Sequence, residues 1–382
     1  MARRHEVQHG VWESVATRLD ELLCAHSGED PFEEALKLLS AKLAWEASGG
    51  SPGGWLADAA GDEVTALNAG LDAAARRWPE VVAPGTRTRL DDHALARCAA
   101  ALRTVRLQDG ALAGLDTLVE VFVTRAAKGE KGQYFTPRHV VATAVRIVAP
   151  QTGERVVDPA CGSGAFLHHA AAAAPGVLAY GADIDPRAVR VARLMLAASG
   201  QPASRVRLGD SLAEGAQDDA DGLADIVLAN PPFAGDVGDR FASSYALARG
   251  RRVERDVLFV ERCVRLLRPG GRLGIVVPHN KVGGARWSFV REWLLRAVRV
   301  AGVVALGRHT FLPHTAQKAC LIVGVKRARP LGAVPDDEIV RMFVSDRDGK
   351  DARGRWVCRE DGTVDHDLDE AVPALCAAMA EG

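Results

Sequence analysis

Apolar residues in the first part of the chain recur at intervals of three and four. Val11, Trp12, Val15, Leu19, Leu22 and Leu23 form one stripe, and Ala35, Leu36, Leu38, Leu39 and Leu43 continue it beyond Pro31. Residues so spaced share one face of a helix, so the period predicts amphipathic helices packed on a core. Ser48-Gly49-Gly50-Ser51-Pro52-Gly53-Gly54 breaks the pattern, and further helices are expected over Glu63–Arg77, Asp91–Val105 and Leu115–Ala127. Gly110-Ala111-Leu112-Ala113-Gly114 supplies the turn ahead of the last of these. With no strand pattern among them, residues 1–125 read as an all-helical N-terminal domain.

From Gly132 onward short apolar runs alternate with helical segments. Strands are expected over Arg155–Val157, Val177–Ala182, Arg205–Leu208, Asp225–Leu228, Arg272–Val277, Gly302–Leu306 and Lys318–Val325. Cys161–Ala174 reads as a loop and helix. Further helices are expected over Pro186–Ala198, Asp256–Leu267 and Trp287–Val298, the second of them closed by Pro269-Gly270-Gly271. This alternation predicts an α/β domain over residues 126–330, with a doubly wound, mostly parallel sheet. No helix separates the last two strands, which predicts an antiparallel hairpin at the edge of the sheet. After Lys326 the signal fades: Phe343–Arg359 mixes charges and glycines around short apolar pieces, and Ala371–Ala380 reads as a terminal helix. Residues 331–382 are therefore expected to form a C-terminal tail, a candidate for docking a partner.

A length of 382 residues accommodates about two domains of roughly 100–200 residues each. No stretch has the length of a membrane span, and Met1-Ala2-Arg3-Arg4-His5-Glu6 leads into amphipathic sequence without the apolar region of a secretory signal. Seven cysteines lie between Cys24 and Cys376 with no Cys-x-x-Cys pair, which argues for a reducing compartment and against a zinc site. A cytoplasmic protein with no membrane contact and no metal is expected. The formal net charge of −1 excludes a polycation, so any nucleic-acid binding needs a local basic surface or a partner.

The most informative stretch is Ala229-Asn230-Pro231-Pro232-Phe233, directly after the apolar run Asp225-Ile226-Val227-Leu228. Two prolines cannot extend a strand ladder, so the segment projects from the carboxyl end of the strand as a stiff turn. In an open α/β sheet that end faces the ligand cleft. Asn230 Oδ1 and the Pro231 carbonyl are two acceptors, matching the two hydrogens of an exocyclic amine such as adenine N6. Holding both hydrogens turns the nitrogen lone pair toward an electrophile, and Phe233 can stack on a base that has left its duplex. Taken alone, the tetrapeptide also serves as an ordinary strand-ending turn.

A second site precedes it. Asp158-Pro159-Ala160-Cys161-Gly162-Ser163-Gly164 follows the first sheet strand and opens a helix, where glycines let a ligand approach the backbone. Leu167 stands where the third glycine of a dinucleotide fingerprint would fall, which argues against a pyrophosphate turn. Asp183 closes the second strand about twenty residues later, at the usual position of a ribose ligand. Asp210 follows the third strand, where a carboxylate can accept from an adenine amino group. Each aspartate alone is also an ordinary strand-end cap. Together they suit S-adenosylmethionine better than NAD.

With these residues side by side, the sequence resembles the amino-methyltransferases that modify adenine N6 in DNA. Within that resemblance Gln133, Tyr134, Phe135, Thr136, Pro137 and Arg138 match the motif that cradles the methionine end of the cofactor. Asp158, Ala160, Gly162, Ser163 and Gly164 match its glycine loop, Asp183 its ribose ligand, Asp210 its adenine ligand, and Asn230, Pro231, Pro232 and Phe233 its catalytic tetrapeptide. The likeness extends over roughly residues 5–330 and is nearest to the modification subunit of type I restriction-modification systems. Leu266-Leu267-Arg268-Pro269-Gly270-Gly271-Arg272, Val276-Val277-Pro278 and Phe311-Leu312-Pro313-His314-Thr315 are similar to that subunit as well.

The resemblance implies a Rossmann-like S-adenosylmethionine-dependent methyltransferase fold and direct transfer to adenine flipped out of a DNA duplex. It also implies a separate DNA-specificity subunit and a restriction subunit as partners, since no target-recognition domain is expected here. Two other functions fit the tetrapeptide or the glycine loop: methylation of a protein glutamine amide, and non-catalytic binding of S-adenosylmethionine by a bridging subunit. Cys161 is expected to be a small loop residue rather than a nucleophile. His309 and His314 read as structural, and Arg286, Arg291, Arg296 and Arg299 as an exposed helix face. Arg249, Arg251, Arg252 and Arg255 read equally as phosphate-gripping groups or as a solvated helix start.

Overall fold

In the computed structural model the residues described are 9–26, 30–59, 61–107, 114–118, 135–213, 215, 220–233, 235, 237, 241 and 243–381. They form two compact units, one of residues 1–131 with 190–205 and 360–363, the other of the remainder.

The first unit opens with helices α1 (His9–His26), α2 (Pro31–Ala47), α3 (Glu63–Arg77) and α4 (Asp92–Leu102). Local chemistry sets their starts. Asp30 accepts the Phe32 N–H at 3.1 Å with Pro31 in the first turn, and Asp91 accepts the Ala94 N–H at 2.7 Å. Leu19, Leu23, Leu38, Leu43, Leu67, Leu71, Leu95 and Leu102 are fully buried, as their spacing predicts. Lys42 and Glu46 pair at 2.7 Å inside this core, and Glu46 also accepts the Leu107 N–H at 2.8 Å. The helix expected over Leu115–Ala127 falls within the described residues only at 114–118.

The second unit is a sheet with helices. Its elements are α5 (Arg138–Val148), β1 (Arg155–Asp158), α6 (Ala165–Ala173), β2 (Leu178–Asp183), β3 (Val206–Leu208) and β4 (Ala224–Ala229), with α7 (Pro186–Ala198) between β2 and β3 belonging from Arg190 onward to the first unit. After these come α8 (Arg255–Leu266), β5 (Leu267–Pro278), α9 (His279–Gly283), α10 (Ser288–Ala297), β6 (Val298–Ala305), β7 (Ala319–Lys326), β8 (Arg341–Val344) and α11 (Val372–Ala380). The strands lie in the order β3-β2-β1-β4-β5-β7-β6-β8, and only β7 runs antiparallel to the rest. Ile226, Val227, Leu228 and Ala229 of β4 are all buried, the continuous apolar run of a strand covered on both faces.

The topology positions the site. The chain winds outward from β1 through β2 to β3, then returns to β4 on the other side of β1. Loops leaving the carboxyl ends of β1 and β4 therefore diverge and leave a crevice between them. Asp158, Asp183, Asp210 and Asn230 all sit at or just past the ends of parallel strands, so they share this one edge.

Two expectations change. The last two predicted strands do pair antiparallel, β6 with β7 through Val298↔Lys326 to Ala305↔Cys320, but the hairpin is not the edge: β7 lies between β5 and β6, and β8 pairs outside β6 through Gly302↔Arg341 to Ala305↔Val344. β8 leaves little trace in the sequence because it is short and exposes Met342 and Val344 on one face. In addition, β5 begins at Leu267, before the prolyl-glycine break. Its pairing with β4 jumps from Ala224↔Leu267 to Ile226↔Arg272, with Gly270 at a φ of 75° inside the irregularity. The Asp225 side chain fixes that irregularity by accepting from the Arg155 N–H at 2.8 Å and from Arg268 Nε at 2.6 Å.

Candidate functional site

The loop after β1 closes on itself through short-range bonds. Gly164 N–H donates to the Cys161 carbonyl at 2.7 Å, and Gly162 and Gly164 adopt φ of 51° and 84°, which side-chain-bearing residues rarely take. A side chain at Gly162 would meet nothing within 4 Å, so the loop backbone borders open space. Asp183 Oδ2 accepts the Gly162 N–H and Oδ1 the Asp185 N–H, both at 2.9 Å. Asp158 Oδ1 accepts the Ala160 N–H at 3.0 Å, and Asp210 Oδ1 accepts the Leu212 N–H at 3.0 Å. Ser163 is half-buried in the same loop.

Burial sets the charge state here. It pushes the Asp158 carboxyl well above the usual carboxylate range; the Ala160 N–H opposes the shift and the neighbouring Asp183 charge adds to it. Asp183 is raised by burial too, against the N–H groups of Asp185 and Gly162. Two adjacent carboxyls that resist ionisation favour a ligand that brings positive charge. The Cys161 thiol is pushed far up by burial, so it is no nucleophile. Its Sγ would lie 3.0 Å and Leu167 Cδ1 2.7 Å from a Cβ at Gly181, so Gly181 makes room for Leu167 where the fingerprint glycine is missing.

Beyond β4, Asn230 is held by a residue far away in sequence. Its Nδ2 donates to Thr136 Oγ1 at 2.9 Å, which leaves Oδ1 as a buried acceptor with no hydrogen-bond partner among the described residues. Thr136 sits just before α5, whose first turn is closed by the Pro137 carbonyl accepting the Val140 N–H at 2.9 Å. Pro231 is buried and Phe233 is 6% exposed. Phe311 meets Phe233 edge-to-face, with ring centroids 5.7 Å apart and planes at 71°.

Phe311 lies on the loop after β6, and residues beyond β8 clasp that loop. Asp348 Oδ2 accepts the His309 N–H at 2.9 Å, its Oδ1 accepts from Thr310 Oγ1 at 3.2 Å, and the carboxylate fills the space a side chain at Gly307 would need. Lys350 Nζ donates to the Leu312 carbonyl at 2.8 Å. The same segment reaches α5, because His139 stacks on His366 at 5.0 Å and meets Trp356 edge-on at 5.7 Å. Burial, then the nearby His366 and Lys350 charges, hold His139 well below the usual histidine range, so it stays neutral.

Of the sequence-predicted residues, Phe135, Thr136, Pro137 and Arg138 lead into α5, and Asp158, Ala160, Gly162, Ser163, Gly164, Asp183 and Asp210 line the ends of β1 to β3. Asn230 to Phe233 follow β4, and Gln133 and Tyr134 lie outside the described residues. Thr136 is expected at the cofactor, yet its hydroxyl contacts Asn230. Phe311 and Asp348 are not among the predicted site residues; only the apolar Phe311-Leu312-Pro313 run hints at the first. Arg291, Arg296 and Arg299 are not an exposed face: they are half-buried and donate to the carbonyls of Gly284, Leu331 and Ala378.

A model of the N-6 DNA methylase family matches residues 116–351. The chain belongs to that family. Members with similar sequence include the methylase subunit of the type I restriction enzyme EcoKI from Escherichia coli (strain K12), 27% identical over 194 residues, which are 44% of this chain and 35% of that protein. The StySPI methylase subunit from Salmonella potsdam is 28% identical over the same shares. This family member thus spans about a third of the length of those curated relatives. Among solved structures, a type I restriction-modification methyltransferase subunit from Streptococcus thermophilus superposes with a TM-score of 0.65 at 14% identity, covering 97% of this chain and 93% of that one. The EcoKI M protein gives 0.50 at 19%, covering 91% and 74%. These likenesses establish the methyltransferase fold. No helix among the described residues is long and apolar enough to cross a membrane, and no cluster of three or more metal-binding side chains occurs among them.

Proposed function

We propose that this chain transfers a methyl group from S-adenosylmethionine to the N6 amine of adenine in DNA, as a cytoplasmic modification subunit working with a separate DNA-specificity subunit and a restriction subunit. The observation that carries the reading is the orphaned, buried Asn230 Oδ1. A buried acceptor without a donor costs free energy on the order of 1–3 kcal/mol, a cost that an amine hydrogen would remove. The Pro231 carbonyl next to it is the second acceptor, and the Thr136 contact to Nδ2 fixes which way the amide faces.

S-adenosylmethionine, when bound, supplies a methyl group already activated by its sulfonium. Asp183 and Asp210 would hold its ribose and adenine, and residues of the Phe135–Arg138 stretch its methionine end. Asn230 and Pro231 would orient the amine nitrogen, Phe233 would lie against the base, and Phe311 would support Phe233. Alignment and electrostatics then carry the reaction, with no side-chain nucleophile. The amine proton would leave to solvent after transfer.

The test is radiolabelled methyl transfer to DNA by the full chain, alone and with a specificity partner, comparing wild type with Asn230→Ala. Label in DNA that depends on Asn230 supports the reading. Label in protein glutamine would replace it with the amide reading, and cofactor binding without transfer to any acceptor would leave a bridging subunit.

A further inference from the structure

Four segments share the Asn230 edge of the sheet beyond the cofactor residues: the loops after β4, β5 and β6, and the start of β7, which pairs antiparallel with the end of β5 through Pro278↔Ala319. They carry Arg249, Arg251, Arg286, Arg308 and Lys318, all exposed and none with an ion-pair partner among the described residues. Elsewhere in this unit many arginines are neutralised: Arg268 by Asp225, Arg272 by Glu154, Arg327 by Glu338, Arg341 by Glu381 and Arg355 by Asp351. Among the described residues of these loops the one carboxylate is Glu254, with Asp256 following in the first turn of α8, and the buried ammonium of Lys281 takes both. The exposed guanidinium groups are left without counter-charge from them.

Two of these cations are also held in place. The Arg251 guanidinium lies 4.7 Å from the Phe289 ring centroid, and the Arg286 guanidinium 4.8 Å from that of Trp287. The two rings touch, with centroids 5.9 Å apart, and Lys281 Nζ sits 4.1 Å from the Trp287 centroid. Stacking on a ring takes little of a guanidinium's hydrogen-bonding capacity, so both keep donors for a planar or tetrahedral anion while losing rotamer freedom in advance. The chain as a whole is slightly acidic, so this edge is a local exception rather than a general basic character.

We infer that Arg251 and Arg286 form a pre-organised phosphate clamp that grips the DNA backbone beside the methyl-accepting adenine, with Arg249, Arg308 and Lys318 extending it. The inference rests on the proposed function for its partner, and it assigns contacts that position the strand without reading sequence.

The experiment measures binding of a duplex of arbitrary sequence to the full chain, saturated with S-adenosylmethionine, across a salt series. Arg251→Gln with Arg286→Gln is expected to weaken binding equally for all sequences. It should also lower the slope of log affinity against log salt by about 2, roughly 0.9 for each phosphate no longer neutralised. Cofactor affinity and thermal midpoint are expected to stay at wild-type values, and Arg76→Gln with Arg329→Gln, exposed cations outside these loops, is expected to leave the slope unchanged. An unchanged slope in the first pair, an equal fall in the second, or no salt-sensitive DNA binding by the wild type would each overturn the clamp. Tighter binding of an RNA duplex than of DNA would overturn its partner. Methyl transfer, measured in parallel alone and with a specificity partner, separates the two claims: salt-sensitive DNA binding with no methyl transfer by the wild type under either condition would sink the proposed function and leave the phosphate contacts standing.

Discussion

Around β1, β2 and β3 the polar groups of the site are fixed by partners close along the chain. Asp158 takes an N–H two residues away, Asp210 does the same, and Asp183 takes one 2 and one 21 residues away. Around β4 and β6 the partners are distant. Asn230 depends on Thr136, 94 residues earlier, and the Phe311 loop depends on Asp348 and Lys350, 38 or 39 residues later. Backbone turns thus build one half of the edge, and side chains from separate elements build the other. The first half tolerates little change in residue type at a few positions. The second is exposed to changes far from the chemistry, since moving α5 or the segment after β8 moves a group at the site.

Substitutions can break that contrast. Phe311→Ala removes a fully buried ring and should cost about 3–5 kcal/mol of stability, read as a lowered denaturation midpoint, with a fall in methyl transfer beyond what unfolding explains. Asp183→Ala frees two backbone N–H groups and removes the carboxylate proposed to hold the ribose. It should weaken S-adenosylmethionine binding by tens of fold, about 2 kcal/mol, while leaving DNA affinity alone; calorimetry separates the two. Thr136→Val keeps the shape of the residue and removes the amide's anchor. A several-fold drop in kcat with little change in cofactor affinity is expected, on the order of 1 kcal/mol. Equal losses in cofactor affinity would return Thr136 to the cofactor site alone.

The two halves should also answer acid differently. His139 is held neutral in the fold, so below about pH 6.5 the unfolded chain binds a proton that the folded chain refuses, and stability falls with pH from there. Asp158 runs the other way: its raised folded value means that the folded chain takes up a proton before the unfolded one, so acidification through that window adds stability. Protonating it removes the charge that a cationic ligand would meet. Cofactor affinity is therefore expected to weaken on mild acidification, in the range where stability is first affected. Affinity unchanged on acidification from neutral pH toward the ordinary carboxylate range would contradict a role for the buried carboxylate.

Legibility in the sequence follows the same division. Gly162, Gly164, Asp183 and the Asn-Pro-Pro-Phe turn announce themselves because their chemistry is local: a turn needs glycine, and a strand stops at proline. Helix α7 is legible over its full length, Pro186–Ala198, for the same reason. The insertion of β7 between β5 and β6 leaves no local trace, since register is decided by which strands pair and not by the pattern within one. The Asp348 clasp gives no sign of itself either, because an aspartate in a polar loop looks like any other solvated charge until its partner is known.

The most direct measurement is the product itself. Unmethylated DNA incubated with the full chain and S-adenosylmethionine, with a DNA-specificity partner present, is digested to nucleosides and assayed for N6-methyladenine by mass spectrometry. N6-methyladenine is expected with the wild-type chain, and a loss of about a hundredfold or more with Asn230→Ala, in line with removal of one group that stabilises the reacting atoms. Undiminished N6-methyladenine from Asn230→Ala, or methyl groups found on protein amides in place of DNA, would contradict the proposed transfer.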